Sequence, residues 1–332
     1  MSQWQWSLPT RVIFGPGARA CLPEFIAGKR AALVRSRSAG SVPGDYAGEF
    51  SGIRPNPTVE NVRDCAAFLS AMGAEIVVAV GGGSVLDCAK AAAKALPLIA
   101  LPTTAGTGSE VTNISVVSDD AVHTKTPQMS PDYFPAIAIV DPELTYTMPR
   151  RVAAESGVDA LSHAIEALWS IHHNPASDAL ALRACRLIFD HLAPSCEGGL
   201  ASRDAMSEGS LLAGLAFAQT RTAGVHASSF PLTARYGLSH GAACGFTLAA
   251  FARLNGIDSH ARALGFADSA ALADEIDRIK KALGLPVYLA DAGIAEPDLP
   301  QLARDCLQPP NMRNNPVAMD EAGMLRLLLS LK

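Results

Sequence analysis

The sequence predicts an α/β N-terminal domain built on a parallel sheet, followed by an all-α C-terminal domain. Three observations carry that expectation. The first 150 or so residues alternate short, continuously apolar runs with helix-period segments, the pattern of strands buried on both faces. Glycine-rich or hydroxyl-rich turns follow two of those runs directly. Beyond Asp141 and Pro142 the strands stop, and long Ala- and Leu-rich helical segments with few β-branched runs take over.

The apolar runs of strand length lie at 31–34, 76–80, 98–101 and 136–140. Helices are expected at 58–72 and 85–95 between them, and at 151–170 and 177–192 in the second half. The change of pattern divides the chain into 1–149 and 150–332, with the boundary near Met148, Pro149 and Arg150, because proline disfavours helix just before itself and opens one well.

Composition narrows the function. With 49% hydrophobic and 18% charged residues the 332-residue chain is globular, and its length suits two domains. A net charge of -5, with no basic run longer than Arg150-Arg151, gives no footprint for nucleic acid or an anionic membrane. The start of the chain lacks the basic and apolar regions of a signal peptide, and the apolar stretches are too short to span a bilayer, so a soluble cytoplasmic protein is expected. Seven scattered cysteines without a CxxC pair argue against a disulfide framework or a cysteine zinc site. A small-molecule partner follows, and a homodimer is the usual state for a soluble enzyme.

Gly81, Gly82, Gly83 and Ser84 separate an apolar run from a helix, so backbone N–H groups and the positive helix end converge on an anion site. Asp87 lies one helical turn further on. A second loop, with Thr103, Thr104, Thr107 and Ser109, also follows an apolar run. Two such loops at neighbouring strand ends suit a dinucleotide. Neither is a Walker A motif and no complete GxGxxG is present, which disfavours a kinase or ATPase.

Asp159 and His163 are four residues apart on a helical segment and share a face. His226 and His240 supply two further imidazoles downstream. One carboxylate and three imidazoles form a nitrogen and oxygen donor set for Fe²⁺ or Zn²⁺, with room for a substrate oxygen. Glu166, one turn past His163, can be a ligand or a partner on the helix face.

Together these segments, with Asn56-Pro57-Thr58 and the Asp141-Pro142 pair, resemble the iron-containing alcohol dehydrogenases over roughly residues 8–250. The resemblance implies a dehydroquinate-synthase-like fold: a dinucleotide-binding domain at 1–149, a helical metal-binding domain at 150–332, and an active site in the cleft between them. It implies Asp159, His163, His226 and His240 as metal ligands. It also implies hydride transfer between nicotinamide C4 and a carbonyl carbon polarised by the metal, interconverting a small aldehyde and its alcohol.

Two departures from the family pattern bear on chemistry. Many members carry a proton-relaying His four residues after the third ligand, where this chain has Phe230; a water on the metal, the cofactor ribose or His173 can take that role. After the run at 31–34 many members place an Asp for the adenosine ribose, where this chain has Arg35, Ser36 and Arg37. Loss of the carboxylate and gain of two guanidiniums favour NADPH, with NADH the alternative. The stretch 221–233 further resembles the subgroup reducing phosphonoacetaldehyde to 2-hydroxyethylphosphonate, which makes Arg221 and Lys125 candidate clamps for a phosphonate, near Phe230; the segment 311–316 is a candidate cap. Competing expectations are a reductase of another small aldehyde, a glycerol-phosphate-type dehydrogenase, a dehydroquinate-synthase-like lyase, and a non-catalytic nucleotide or metal sensor.

Overall fold

Six parallel strands in the first part of the chain bear out the expected sheet. In a computed structural model that describes residues 3–94, 96–119 and 124–332, Gln5–Met148 forms one compact unit and Pro149–Lys332 belongs to a second. The side chain of Lys125 lies outside what is described.

The first unit runs β1 (Arg11–Phe14), α1 (Leu22–Ile26), β2 (Ala31–Arg35), β3 (Gly48–Phe50), α2 (Val59–Ala71), β4 (Ile76–Gly81), α3 (Gly83–Ala93), β5 (Leu98–Pro102), β6 (Ile114–Asp119), β7 (Thr124–Met129) and β8 (Ile137–Val140). The sheet order is β1-β8-β5-β4-β2-β3, while β6 and β7 pair separately as an antiparallel ribbon. Alternate residues of each central strand enter opposite cores. Val77, Ala79 and Ala100 pack with Leu86 and Cys65 on one face; Ile76, Val78, Val80, Ile99 and Leu101 pack with Leu22 and Ile26 on the other. Burial on both sides explains why these strands read as unbroken apolar runs, each fully buried Val, Ile or Leu contributing about 1.5–3 kcal/mol.

Because all six strands point the same way, the carboxyl ends of β2, β4 and β5 lie on one edge of the sheet, with β4 between its two neighbours. The segments beginning at Ser36, Gly82 and Thr103 therefore leave side by side. Thr58 opens α2 with a capping box in which its hydroxyl accepts from Asn61 N–H, which accounts for the helix starting just after the Asn56-Pro57 turn.

The second unit is helical throughout: α4 (Arg150–Trp169), α5 (Pro175–Cys196), α6 (Leu200–Thr220), α7 (Gly224–Tyr236), α8 (His240–Asn255), α9 (Asp258–Ala263), α10 (Ser269–Leu283), α11 (Leu299–Cys306) and α12 (Glu321–Leu329). The last three turns of α4 are buried on all sides, from Gly157 to Trp169, with α5, α6 and α8 packed around it. A helix wrapped this way is hydrophobic all round apart from the polar groups it needs for a purpose. Those groups on α4 are Asp159, Ser162, His163 and Glu166.

Candidate functional site

Asp159, His163 and Glu166 project from buried α4, His226 from the first turn of α7, and His240 from the first residue of α8. These helices meet closely because of Gly241. A Cβ there would stand 2.0 Å from the backbone oxygen of Glu155 and 3.4 Å from Asp159 Cβ, so only glycine lets the start of α8 press onto α4.

The polar atoms converge. Asp159 Oδ1 is 3.6 Å from His226 Nε2 and 3.6 Å from His240 Nε2. The His163 ring stacks between Phe217, at 4.2 Å between centroids, and His226, at 4.4 Å. His240 is the partly exposed member of the group, whereas Asp159, His163 and His226 are buried. Among the described residues, Asp159, His226, His240 and Cys244 have ligand atoms all within 4.8 Å of one another.

Glu166 is the anchor of this arrangement and not one of the converging donors. Its Oε2 lies 2.5 Å from His226 Nδ1, and its Oε1 accepts from Val225 N–H at 2.7 Å and His226 N–H at 3.4 Å. One carboxylate thus caps α7, whose own N-cap residue Ala223 offers no side chain for the purpose, and turns the His226 ring so that Nε2 faces Asp159. Sequence spacing left Glu166 open between ligand and helix-face partner; the fold selects the partner role.

The electrostatics follow from burial and neighbours. Burial alone would raise the Asp159 carboxyl, but His163, His240 and His226 outweigh it and hold it well below the usual carboxylate range. Burial works to lower His226, and Cys244, Glu166 and Asp159 together push it well above the ordinary histidine value. Burial raises the Cys244 thiol, against the lowering influence of His226.

A divalent ion fits these residues. Asp159 Oδ1 and His226 Nε2 are buried and have no hydrogen-bond partner. An orphaned carboxylate oxygen and ring nitrogen cost about 1–3 kcal/mol each, more where charge is involved, unless a cation meets them. Metal bonds of about 2.0–2.3 Å in a tetrahedral array set donor atoms roughly 3.3–3.7 Å apart, which matches the separations here.

In the first unit, α3 begins at Gly83 with no side-chain cap, so its leading N–H groups lack a partner within the helix. A Cβ on Gly83 would come within 2.7 Å of Thr107 Cγ2, so the two glycine-bearing loops stand directly against each other. Thr103 N–H donates to Gly81 O, joining them through the backbone at 3.0 Å. Thr104 and Thr107 stay partly exposed on this edge.

Five of the expected cofactor residues, Ser84, Asp87, Ser109, Arg35 and Ser36, bond to other groups of the first unit. Ser109 Oγ donates to Asp87 Oδ1 at 2.7 Å, and Asp87 Oδ2 accepts from Val116 N–H at 3.0 Å, so both hold the second loop and the β6 ribbon onto α3. Ser84 Oγ accepts from Asn56 N–H at 3.1 Å. Arg35 donates to the carbonyls of Ala39 and Gly40 and lies 3.7 Å from Glu49, whereas Arg37 is exposed. Ser36 Oγ pairs with Ser38 Oγ at 2.9 Å.

Arg221 ends α6 with φ 63 and ψ 167, a conformation found essentially only in glycine, which costs about 1–3 kcal/mol. Its guanidinium is half-buried, and burial lowers its pKa. The segment 311–316 fastens the following turn: Asn311 Nδ2 donates to Thr222 Oγ1 at 3.2 Å and Asn314 Nδ2 to Thr222 O at 2.8 Å. Phe230 follows His226 by one helical turn and is partly exposed, with Pro231 next in α7. Cys244 escaped sequence reading, although it is four residues after His240 and so shares its helix face, the same spacing that singled out Asp159 with His163.

Residues 9–142 match the sequence profile of iron-containing alcohol dehydrogenase, and residues 153–331 that of the C-terminal part of the Fe-containing alcohol dehydrogenase family. The chain belongs to the iron-containing alcohol dehydrogenase family. It is an oxidoreductase by that membership. Among relatives, it is 32% identical to the 1,3-propanediol dehydrogenase of Klebsiella pneumoniae over 94% of this chain and 95% of that one. It is 31% identical to the sulfoacetaldehyde reductase of Bilophila wadsworthia (strain 3_1_6), over 82% of this chain and 80% of that one. The crystal structure of sulfoacetaldehyde reductase from Bifidobacterium kashiwanohense in complex with NAD+ superposes with a TM-score of 0.93 at 35% identity, covering 100% of this chain and 99% of that one. Among the described residues no helix is long and apolar enough to cross a membrane.

Proposed function

We propose that this alcohol dehydrogenase reduces a small aldehyde with an anionic tail, phosphonoacetaldehyde being the substrate that its sequence favours, at a divalent ion held by Asp159, His163, His226 and His240. The observation that carries the reading is the pair of buried atoms, Asp159 Oδ1 and His226 Nε2, facing each other and His240 without hydrogen-bond partners. When bound, the ion supplies Lewis acidity toward a carbonyl group and the nicotinamide supplies hydride. The donor set suits Fe²⁺ and Zn²⁺ alike.

The chain's own residues do the rest. Glu166 fixes the proton of His226 on Nδ1 and leaves Nε2 bare toward the ion. His163, stacked between Phe217 and His226, keeps its ring plane against theirs. The leading N–H groups of α3 and the hydroxyls of Thr104 and Thr107 offer donors to a pyrophosphate and ribose. Phe230, one helical turn after His226 in α7, is apolar and cannot move a proton. Arg221, half-buried and pinned in a strained conformation, is the guanidinium for an anionic tail; the sulfoacetaldehyde reductases among its relatives take a tail of the same charge sign.

For the cofactor, Arg37 favours NADPH by offering an exposed guanidinium at the carboxyl end of β2. The engagement of Arg35 with Glu49, and the NAD+ bound by the similar crystal structure, favour NADH as the second reading. The test is oxidation of NADPH and NADH by metal-loaded protein against phosphonoacetaldehyde, sulfoacetaldehyde, propanal and lactaldehyde. Reduction of the phosphonate with the lowest KM, rising about tenfold or more in Arg221→Ala while propanal is unaffected, is expected, since a charge-assisted hydrogen bond contributes about 1.5–3 kcal/mol. Equal kcat/KM for propanal and the anionic aldehydes would overturn the substrate assignment; no turnover of any aldehyde would overturn the reductase reading.

A further inference from the structure

We propose that Cys244 Sγ is itself a ligand of the ion, so that this chain's metal centre carries a thiolate beside its carboxylate and imidazoles. The inference rests on the divalent-ion site proposed above and adds a fifth donor to its Asp159, His163, His226 and His240.

Geometry is the first support. Cys244 Sγ lies 3.8 Å from His240 Nε2. An ion about 2.1 Å from a ring nitrogen and about 2.3 Å from sulfur, at the angles of roughly 90–120° between neighbouring donors of a five-coordinate shell, requires a separation of about 3.1–3.8 Å between them. The same ion accounts for the 3.6 Å separations of Asp159 Oδ1 from both imidazoles. Four donor atoms from three helices thus lie where one ion can reach them all, within 4.8 Å of one another. No other cysteine among the described residues joins such a group.

The second support is independent of the sulfur. Asp159 Oδ1 and His226 Nε2 are buried and face each other at 3.6 Å with no hydrogen-bond partner, so the place beside Cys244 suits a cation. Position on the helix supplies the third. His240 and Cys244 are one turn apart on α8, and that helix is pressed against α4 at Gly241, which carries both donors toward Asp159 together.

The chemistry balances without any redox step. As the S–metal bond forms, the Sγ–H bond breaks heterolytically, the electron pair stays on sulfur and is shared with the ion, and the proton leaves to solvent; the metal and the sulfur keep their oxidation states. A soft donor added to nitrogen and oxygen ligands biases the site toward Zn²⁺ and Co²⁺ over Fe²⁺, relative to the same set without it.

The decisive experiment uses the full chain stripped of metal and titrated with Co²⁺. Wild type is expected to develop d–d bands in the visible and a sulfur-to-cobalt charge-transfer band in the near ultraviolet. Cys244→Ser should lose the charge-transfer band, keep the d–d bands, and still hold one Co²⁺ that His226→Ala does not. X-ray absorption on Zn²⁺-loaded wild type, which needs no variant, should find one sulfur scatterer at about 2.3 Å. In competition, Cys244→Ser should prefer Zn²⁺ over Fe²⁺ less than wild type does. A cobalt site that depends on His226 but has no charge-transfer band, or a band that persists in Cys244→Ser, or a zinc shell of nitrogen and oxygen alone, overturns the proposal and leaves the site standing. Failure of wild type to hold cobalt in any way that depends on His226 overturns the site, and the cysteine assignment with it.

Discussion

Replacing Glu166 with Gln tests whether the orientation of His226 governs metal affinity. The native carboxylate accepts at both oxygens, from His226 Nδ1 on one and from two backbone N–H groups on the other. Glutamine has one acceptor oxygen and one donor nitrogen in the same space. If its oxygen serves Val225 and His226 N–H, its amide donates to Nδ1 and drives the imidazole proton to Nε2, the atom that faces Asp159. If the amide turns over, a donor meets two donors. The first arrangement puts the proton on Nε2; the second keeps Nε2 bare but strands the two backbone N–H groups that hold the start of α7. Losing a carboxylate that orients a ligating histidine weakens metal binding about 10- to 100-fold, or about 1.4–2.7 kcal/mol. Titration of apo protein with Zn²⁺ against a competing chelator measures this, with far-UV circular dichroism verifying that α7 is intact. Glu166→Ala should be worse for stability, since it strands buried N–H groups at about 1–3 kcal/mol apiece. An affinity for Zn²⁺ within twofold of wild type in a folded Glu166→Gln protein would refute the reasoning.

Other expectations concern the supports of the two regions. Lys90 Nζ is buried and donates to Thr112 O at 3.0 Å and Ile114 O at 2.9 Å; burial lowers its pKa from 10.5 to about 8, against the raising influence of Asp87 and Glu110. Between about pH 8 and 10.5 the unfolded chain therefore binds more protons than the folded one, so this residue's contribution makes stability rise with pH across that window by about 3 kcal/mol and be lost as pH falls back through 8. Lys90→Met should remove that slope in urea melts and lower stability near neutrality by leaving two carbonyls unmet; an unchanged slope would contradict it. Gly241→Ala should cost about 1–3 kcal/mol by overpacking against Glu155 and reduce metal content, measured by elemental analysis of the folded fraction. Chelation should abolish turnover while the helical signal persists, with activity restored by Fe²⁺ or Zn²⁺; activity surviving in fully metal-free protein would contradict the assigned role.

Much of the first unit was legible in the chain itself. The runs at 76–80 and 98–101 had to be strands buried on both faces, because nothing polar interrupts them, and they became β4 and β5. The exposed strands were not legible. β1 carries Arg11 and an exposed Phe14, β3 is only three residues long, and the ribbon of β6 and β7 includes Pro127, so none has the apolar continuity that marks a central strand. The site divides in the same way. Asp159 with His163 could be read from helical spacing, since both lie on one element. Asp87, one helical turn past the glycine loop, and Ser109, in the second loop, looked like ligand donors, yet pairing across 22 residues ties them to each other.

The sequence by itself determined the class of fold and the family, and marked side chains whose chemistry suits a cation or a dinucleotide, because burial pattern and motif order are local properties of the chain. Tertiary structure alone decided which of those side chains meet. The approach of α8 to α4 at Gly241, the turn of His226 by Glu166 across 60 residues, and the arrival of Cys244 beside His240 and Asp159 all depend on packing between helices distant in the chain. Metal bonds about 2 Å long demand sub-ångström placement, and no one-dimensional spacing encodes the crossing of three helices to that tolerance.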